Sequence, residues 1–313
     1  MTQVVELSPE LRIESRDRQR SRIASGLLAT ARPKQWSKNV LVFAAPGAAG
    51  VLIRSSALAQ AFLTFALFCV IAAGTYFVND AIDVRVDRIH PVKRLRPMAA
   101  GVFSARTGLI VGGLLLASGF AGSAATNWKL GVVVAAYVAI QFAYSYRLKH
   151  MAVYDLAAVA AGFVLRCIAG GVATNVSVSE WFLIVATFGS LLMVTGKRIA
   201  EHSELGAERG SHRRSLTAYT ETFLNIVLGV SAAGAILGYC LWAFSLQTAL
   251  EHHRDPIWYQ LSIVPMLLAL LRYTYVVEGK NGGRPEELVL SDRSLQLLGL
   301  IWVVLFTAGV YAR

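Results

Sequence analysis

Asn79-Asp80-Ala81-Ile82-Asp83-Val84-Arg85-Val86-Asp87 ends a long apolar run, residues 58–80, that is long enough to span a membrane as a helix. At about 100° per residue, Asn79, Asp80, Asp83 and Asp87 share one helix face, at the depth where lipid gives way to water. Three carboxylates so close repel one another unless a cation lies between them, and oxygen ligands of this kind suit Mg²⁺. A solvated acidic helix end is the alternative, but ionisable groups that adjoin a membrane span are costly and usually functional. The pattern therefore favours a Mg²⁺ site on these four residues.

The composition is that of a membrane protein. Hydrophobic residues make up 55% of the chain and charged residues only 16%, and the mean hydropathy is +0.53, whereas soluble domains are less apolar. We predict an all-α fold, a polytopic bundle of about nine transmembrane helices, with eight as the main alternative. The predicted spans are 39–53, 58–80, 103–124, 130–147, 152–173, 181–196, 223–247, 257–277 and 295–312. The first span is short and contains Pro46.

Lys and Arg are distributed unevenly between the two ends of these spans. The connections after odd-numbered spans contain only Arg54, Lys129 and Arg254, whereas those after even-numbered spans contain many more cations. The positive-inside rule therefore places the latter connections and the N-terminus in the cytoplasm, with the bundle in the plasma membrane. The net charge of +11 then reflects topology and anionic headgroups, so nucleic acid is not an expected partner.

The chain is expected to have two parts. Residues 1–35 are expected to be a basic tail or an interfacial helix, because Arg residues occur together with Ile13, Ile23, Leu27 and Leu28 between Arg12 and Arg32. Residues 36–313 are expected to form a single transmembrane domain. The lipid bilayer is therefore one partner, and the sequence leaves a homo-oligomer open.

Basic residues follow the acidic face directly. Lys93 and Arg96 lie in the short segment that Pro91 and Pro97 delimit. A metal ion and cationic side chains share the charge of a polyphosphate when they bind it together, so these two cations are candidate phosphate ligands. Positive-inside charge alone accounts equally well for a cation such as Arg94.

The connection after the sixth predicted span is a second candidate site. On a helix, Lys197, Glu201 and Glu204 share one face, and Arg198 lies about 100° away from it. Further along the chain lie two more cations and a phenol, at Arg213, Arg214 and Tyr219. This mixture of cations, acids and hydroxyls suits a phosphorylated, hydroxylated ligand, and a solvated loop with salt bridges is the alternative.

One arginine lies well inside an apolar span. Arg166 belongs to the fifth predicted span, where a guanidinium group has to face a polar cavity or an anion. Asp155 is a structural alternative as its partner, although it is too far along the same helix for a direct pair. Tyr144 and Lys149 precede this span and are further candidate ligands of a substrate.

Together these residues resemble the intramembrane prenyltransferases of the UbiA superfamily. Asn79-Asp80-x-x-Asp83-x-x-x-Asp87 matches the first Asp-rich motif of that superfamily. The similarity runs from about Arg32 to the C-terminus and includes Arg88, Lys93, Arg96-Pro97, Gly101, Tyr144-Ser145, Lys149, Asp155, Leu165-Arg166 and Gly170-Gly171. The resemblance implies an all-helical bundle around a central cavity that opens sideways to lipid and is capped on the cytoplasmic side.

A departure from this pattern points to one branch of the superfamily. Members that act on aromatic acceptors carry a second Asp-rich motif after the sixth span, which binds a second Mg²⁺ on the prenyl diphosphate. Here that position has Lys197-Arg198-x-x-Glu201, then Arg213-Arg214-Ser215-Leu216 and Tyr219-Thr220. The pattern is similar to that of decaprenyl-phosphate phosphoribosyltransferases, as are Arg32-Pro33-Lys34-Gln35-Trp36-x-Lys38-Asn39 and Glu278-Gly279-x-x-Gly282-Gly283-x-Pro285-Glu286-Glu287.

This resemblance implies a glycosyl transfer. Phosphoribosyl pyrophosphate would donate 5-phosphoribose to decaprenyl phosphate, or to another polyprenyl phosphate, and release pyrophosphate; the product supplies lipid-linked arabinose for cell-wall arabinan. Mg²⁺ held by Asn79 and by the catalytic carboxylates Asp80, Asp83 and Asp87 would stabilise the leaving group. The implied substrate ligands are Lys38, Lys93, Arg96, Tyr144, Lys149, Arg166, Lys197, Arg198, Glu201, Arg213, Arg214 and Tyr219.

Two other functions stay open at this point. A prenyltransferase of the UbiA type could join a prenyl diphosphate to an aromatic or quinone-precursor acceptor, but the missing second Asp-rich motif weakens this alternative. A transporter of phosphorylated solutes would also carry charges within its spans. Transporter sites lie near the membrane midplane, however, whereas these polar residues cluster at one membrane face.

Overall fold

Long apolar helices account for most of the structure. The computed structural model describes residues 9–205, 218–245, 257–279, 288–289 and 291–311, with side chains from residue 19 to residue 203 in the first of these ranges. The α-helices are α1 (Pro9–Ala31), α2 (Ala44–Ala48), α3 (Ser55–Ile82), α4 (Val84–Ile89), α5 (Ala105–Thr126), α6 (Trp128–Tyr146), α7 (Tyr154–Ala173), α8 (Glu180–Leu205), α9 (Glu221–Phe244), α10 (Ile257–Gly279) and α11 (Arg293–Tyr311). Short 3₁₀ helices cover Pro33–Phe43, Val51–Ile53, Lys93–Leu95 and Leu148–His150.

Within these ranges, eight helices are long and apolar enough to cross a membrane: α3 and α5 to α11. They correspond to the second to ninth predicted spans, and the described residues contain no strand. The predicted all-α membrane fold is therefore confirmed. The predicted count of nine helices and the predicted cytoplasmic N-terminus are not confirmed.

The predicted span 39–53 is not a continuous α-helix. Its residues belong to the 3₁₀ helix Pro33–Phe43, to α2 and to the 3₁₀ turn Val51–Ile53. Two features interrupt it: Pro46 cannot donate a backbone hydrogen bond, and Gly50 has a φ of 68°, which a helix does not contain. Apolar composition predicted that the segment is buried in apolar surroundings, but it does not distinguish an α-helix from this irregular path.

The chain forms two compact units, and each is described separately. The first comprises residues up to Val40 together with Phe65–Ala125. In it, α3 and α5 approach closely at small residues, since a Cβ atom at Gly74 would lie 3.0 Å from the carbonyl oxygen of Gly112. Phe77, Ala81, Met98 and Phe103 form its core beside the acidic end of α3. This packing fixes the position of the Asp-rich segment.

The second unit comprises Leu41–Thr64 and the chain from Thr126 onward. Helices α7 to α11 surround a core that includes Leu156, Leu192, Leu224 and Tyr273. No side chain fits at Gly170 of α7, because a Cβ atom there would collide with the backbone carbonyl of Val42. A group of polar residues in this unit, Asp155, Arg198 and Tyr219, lies at the start of α7, near the end of α8 and just before α9.

Candidate active site

The first cluster of polar residues surrounds Asp80 in the first unit. Asp80 is only 3% exposed and accepts hydrogen bonds from Arg32 Nη2 at 2.6 Å and from Arg96 Nη1 at 3.1 Å. The same Arg96 nitrogen donates to Asp87 Oδ2 at 2.8 Å. One guanidinium group therefore joins two of the predicted catalytic carboxylates. Arg32 also lies over the ring of Tyr76, 4.6 Å from its centroid.

The helical register continues through the end of α3, although α4 is a separate helix. The backbone N–H of Asp83 donates to the carbonyl of Asn79 at 2.9 Å, and that of Asp87 donates to the carbonyl of Asp83 at 2.8 Å. Asn79, Asp83 and Asp87 thus keep the i, i+4 spacing that places them on one face. Asp87 is buried, whereas Asp83 is half-buried.

The residues at this end of α3 can be tested for their fit to a metal ion. The described part of the chain has no group of three or more His, Cys, Asp or Glu side chains that could hold one by themselves. However, Asn79 Oδ1 is buried and has no hydrogen-bond partner within that part. With Asp80 and Asp87 it provides hard oxygen donors, which Mg²⁺ prefers. The residues therefore fit a hard divalent cation, and the ligand set that includes Asp83 stays a prediction.

The second cluster surrounds Arg198 in the second unit. Arg198 is 3% exposed; its Nε donates to Asp155 Oδ2 at 3.2 Å and its Nη1 donates to Glu201 Oε2 at 2.5 Å. Its Nη2 is 3.4 Å from the hydroxyl of Tyr144. Asp155 is fully buried. The alternative of a solvated loop with salt bridges is therefore correct about the salt bridges, which are present. It is wrong about solvation, because Arg198 and Asp155 are buried.

Tyr219 completes this second cluster. Its hydroxyl donates to Asp155 Oδ1 and accepts a hydrogen bond from the backbone N–H of Val153 at 2.6 Å. Val153 has a φ of 71°, a conformation that costs a β-branched residue about 1–3 kcal/mol. Burial, and the hydrogen bond to Asp155, raise the pKa of Tyr219. The hydroxyl predicted to bind a substrate therefore stays protonated and holds the entry into α7.

Arg166, on α7, has polar partners separate from those of the second cluster. It is 7% exposed and donates to the carbonyl of Gly162 at 2.7 Å and to the hydroxyl of Tyr137 at 2.8 Å. Its guanidinium carbon lies 4.8 Å from the centroid of the Tyr137 ring. Asp155, which the sequence suggested as its structural partner, pairs with Arg198 instead.

The structure distributes the predicted site residues between the two units. Lys38, Lys93 and Arg96 belong to the same unit as the acidic cluster, whereas Tyr144, Lys149, Arg166, Lys197, Arg198, Glu201 and Tyr219 belong to the other. The lysines Lys38, Lys93, Lys149 and Lys197 are each half-buried. Arg213 and Arg214 lie outside the described residues.

Sequence reasoning missed two site residues. Arg32 belongs to the segment Arg32–Asn39 that resembles the phosphoribosyltransferase pattern. Its partner Asp80 is 48 residues away in the sequence, and no local spacing indicates such a pair. Tyr137 is an aromatic residue in an apolar span, and no feature of the sequence indicates that its hydroxyl contacts Arg166. The buried Arg166 was the available clue, since it requires a polar partner.

Comparison with known proteins identifies the family of this chain. Residues 40–309 match the model of the UbiA prenyltransferase family. The decaprenyl-phosphate phosphoribosyltransferase of Corynebacterium glutamicum is 43% identical over 92% of this chain and 88% of its own length. Its counterpart in Mycolicibacterium smegmatis is 42% identical over 92% of this chain and 93% of its own length. The solved structure of a UbiA homolog from Archaeoglobus fulgidus bound to GPP and Mg²⁺ has a TM-score of 0.68 at 20% identity, covering 91% of this chain and 98% of that one.

Proposed function

Since this chain belongs to the UbiA prenyltransferase family, as its motifs predicted, we propose that it transfers 5-phosphoribose from phosphoribosyl pyrophosphate to decaprenyl phosphate and releases pyrophosphate. Two relatives with at least 42% identity over 92% of the chain carry the name of this activity. The structural observation that carries the proposal is the buried Arg198 cluster. The resemblance in sequence places Arg198 at the position of the second Asp-rich motif of aromatic-acceptor members. The positive-inside rule favours an active site on the cytoplasmic side of the plasma membrane.

In this proposal the first cluster binds the pyrophosphate. Asn79, Asp80, Asp83 and Asp87 would hold Mg²⁺, which would supply positive charge to the leaving group. Arg96 donates hydrogen bonds to Asp80 and Asp87, and a pyrophosphate group beside these carboxylates would be a further acceptor for its guanidinium group. A guanidinium group favours such an acceptor because its parallel N–H groups match two phosphate oxygens.

The second cluster binds the phosphoribosyl group. Two carboxylates already fix Arg198, so it loses little side-chain entropy when it binds an anion. Lys197, the preceding residue on α8, is half-buried and adds a second cation. We assign the 5-phosphate to this pair, with Arg213 and Arg214 as further candidates, and a ribose hydroxyl to Glu201.

The reaction exchanges one carbon–oxygen bond for another. The bond between the anomeric carbon and a pyrophosphate oxygen breaks, and a phosphate oxygen of decaprenyl phosphate forms a new bond to that carbon. The lipid phosphate is already anionic at neutral pH, so its attack needs no strong general base. Lys93 and Arg166 are proposed to orient the pyrophosphate or the lipid phosphate, and Lys38, Tyr144 and Lys149 stay predicted substrate ligands.

A two-substrate assay tests this function. Membranes that contain the protein receive radiolabelled phosphoribosyl pyrophosphate, decaprenyl phosphate and Mg²⁺, and we expect the label to appear in the lipid fraction. A parallel reaction with a prenyl diphosphate and 4-hydroxybenzoate should give no product. Product from the second pair alone would identify an aromatic prenyltransferase instead. Label that enters sealed vesicles without reaching lipid would identify a transporter.

A further inference from the structure

The turn that carries Lys93 and Arg96 begins directly after α4, at His90. His90 is the C-cap residue of α4, and Pro91, which follows it, has no backbone N–H group. The chain then passes through the 3₁₀ helix Lys93–Leu95 to Arg96, whose guanidinium group contacts two carboxylates of the first cluster. The conformation of these few residues therefore decides where Lys93 and Arg96 lie.

The imidazole ring of His90 supplies a hydrogen-bond acceptor that this turn needs. Its Nδ1 accepts the backbone N–H of Val92 at 3.2 Å and that of Lys93 at 3.3 Å. The carbonyl of His90 accepts the N–H of Arg94 at 3.2 Å, and the carbonyls of Val92 and Lys93 accept the next two N–H groups of the chain. Backbone N–H groups are costly to leave without an acceptor. His90 alone satisfies three of the five N–H groups of residues 92–96.

These hydrogen bonds also define the form of the ring. A ring nitrogen that accepts a backbone N–H carries no proton, so in this arrangement the imidazole of His90 is neutral and its proton is on Nε2. A neutral ring does not supply the positive charge with which Lys93 and Arg96 would bind a phosphate group. The role that this geometry supports for His90 is therefore to hold the backbone of the turn.

We propose that His90 is a positioning residue of the reaction, because its Nδ1 fixes the turn that presents Arg96 to the pyrophosphate group. The inference rests on the proposed function, from which it takes the substrate. A binding-competent conformation that is populated only part of the time lowers the apparent affinity in proportion to its population. Loss of the Nδ1 acceptor should therefore weaken the binding of phosphoribosyl pyrophosphate, even though His90 itself does not contact the substrate.

Two substitutions of His90 test the proposal kinetically. His90→Phe keeps a ring but removes the acceptor, and we expect the KM for phosphoribosyl pyrophosphate to rise on the order of tenfold. His90→Asn should keep a KM close to that of wild type, because an Asn side-chain oxygen accepts the backbone N–H two residues further on. Val92→Phe adds a ring to the same turn at a side chain that is 69% exposed and should leave the KM unchanged. Equal defects in His90→Asn and His90→Phe, or none in His90→Phe, would overturn the proposal.

Hydrogen exchange measures the turn itself and does not depend on turnover. In peptides that cover residues 90–96, we expect the amides of Val92 and Lys93 to exchange faster in His90→Phe than in wild type. His90→Asn should keep them protected. Unchanged exchange in His90→Phe would show that the ring does not hold the turn, and would refute the proposal.

Binding of pyrophosphate separates this inference from the proposed function. Purified proteins in nanodiscs receive pyrophosphate and Mg²⁺, and calorimetry measures the affinity. We expect His90→Phe to bind about tenfold more weakly than wild type and His90→Asn to bind as wild type does. This result would support the role of His90 even if no phosphoribosyl transfer were found, in which case the proposed function alone would fail. Equal affinities of wild type and His90→Phe would refute the role of His90.

Discussion

The hydroxyl of Tyr219 donates a hydrogen bond to the carboxylate of Asp155, which is 64 residues away in the sequence. The same carboxylate pairs with Arg198, and the same hydroxyl accepts the backbone N–H of Val153. Tyr219 therefore connects the strained entry of α7 with the cation proposed to bind the 5-phosphate. From this contact we expect Tyr219 to position the site, and its predicted role as a direct ligand of the substrate is the alternative to be tested.

Tyr219→Phe tests whether Tyr219 positions the site or binds the substrate directly. The change leaves the Val153 N–H without its acceptor and removes one of the donors to Asp155, which costs about 1–3 kcal/mol when the groups are buried. We expect a lower Tm in detergent and a lower kcat/KM. Tyr146→Phe removes a phenol that is 73% exposed and should change neither. A higher KM for phosphoribosyl pyrophosphate at an unchanged Tm would show that Tyr219 contacts the substrate instead.

The pH dependence of the Tm should show the titration of the Tyr219 hydroxyl. Burial and the bond to Asp155 raise the pKa of Tyr219 above its ordinary value of about 10. The folded protein holds this proton more tightly than the unfolded chain does. The resulting stability is fully present below about pH 10 and is lost as the pH rises through the folded-state pKa. The Tm difference between wild type and Tyr219→Phe should therefore be constant from pH 6 to 9 and shrink only in more alkaline buffer. A difference that already shrinks below pH 9 would contradict the raised pKa.

Lys197→Ala tests the assignment of the 5-phosphate. Arg198→Ala is a poorer test, because removing one partner of a buried ion pair destabilises a protein by about 3–5 kcal/mol, and Asp155 is fully buried. Lys197 is half-buried, so its removal should leave the Tm unchanged. A charge-assisted bond to phosphate contributes about 1.5–3 kcal/mol. We therefore expect the KM for phosphoribosyl pyrophosphate to rise by roughly tenfold to a hundredfold.

The matched control for Lys197 is Lys129→Ala, at an exposed position in the first turn of α6, which should behave as wild type. If Lys197→Ala instead raises only the KM for decaprenyl phosphate, the end of α8 binds the acceptor. In that case the two phosphate assignments are exchanged. If neither KM moves, the Arg198 cluster is a structural ion-pair network.

Asp83→Asn tests the metal site. Asp83 is half-buried at the junction of α3 and α4, so its neutralisation should abolish transfer while the protein stays folded. A ligand that binds only the folded state raises stability. We thus expect Mg²⁺ to raise the Tm of the wild type but not that of Asp83→Asn. Glu180→Gln neutralises an exposed acid at the start of α8 and serves as the control. Normal turnover of Asp83→Asn in Mg²⁺ would show that this carboxylate is not required for the reaction.

Local sequence patterns predicted the features that depend on local structure. The apolar runs predicted the membrane helices, and the spacing of Asn79, Asp83 and Asp87 predicted their shared face, because both depend only on helical geometry. Contacts between distant segments, such as Arg32 with Asp80 and Tyr219 with Asp155, depend on how the helices pack, and no short pattern encodes that. The 3₁₀ path of Pro33–Phe43 was missed for a different reason, since hydropathy measures burial and not backbone geometry.

The central claim is that the lipid phosphate is the nucleophile, and an isotope measurement tests it most directly. Decaprenyl phosphate is prepared with ¹⁸O in the oxygen that joins the prenyl carbon to phosphorus, and it is incubated with the protein, phosphoribosyl pyrophosphate and Mg²⁺. If a phosphate oxygen attacks the anomeric carbon, mass spectrometry will find all of the ¹⁸O in a lipid that also carries 5-phosphoribose, and the released pyrophosphate will be unlabelled. ¹⁸O in water-soluble phosphate would mean that the prenyl carbon–oxygen bond had broken, which would contradict phosphoribosyl transfer to the lipid.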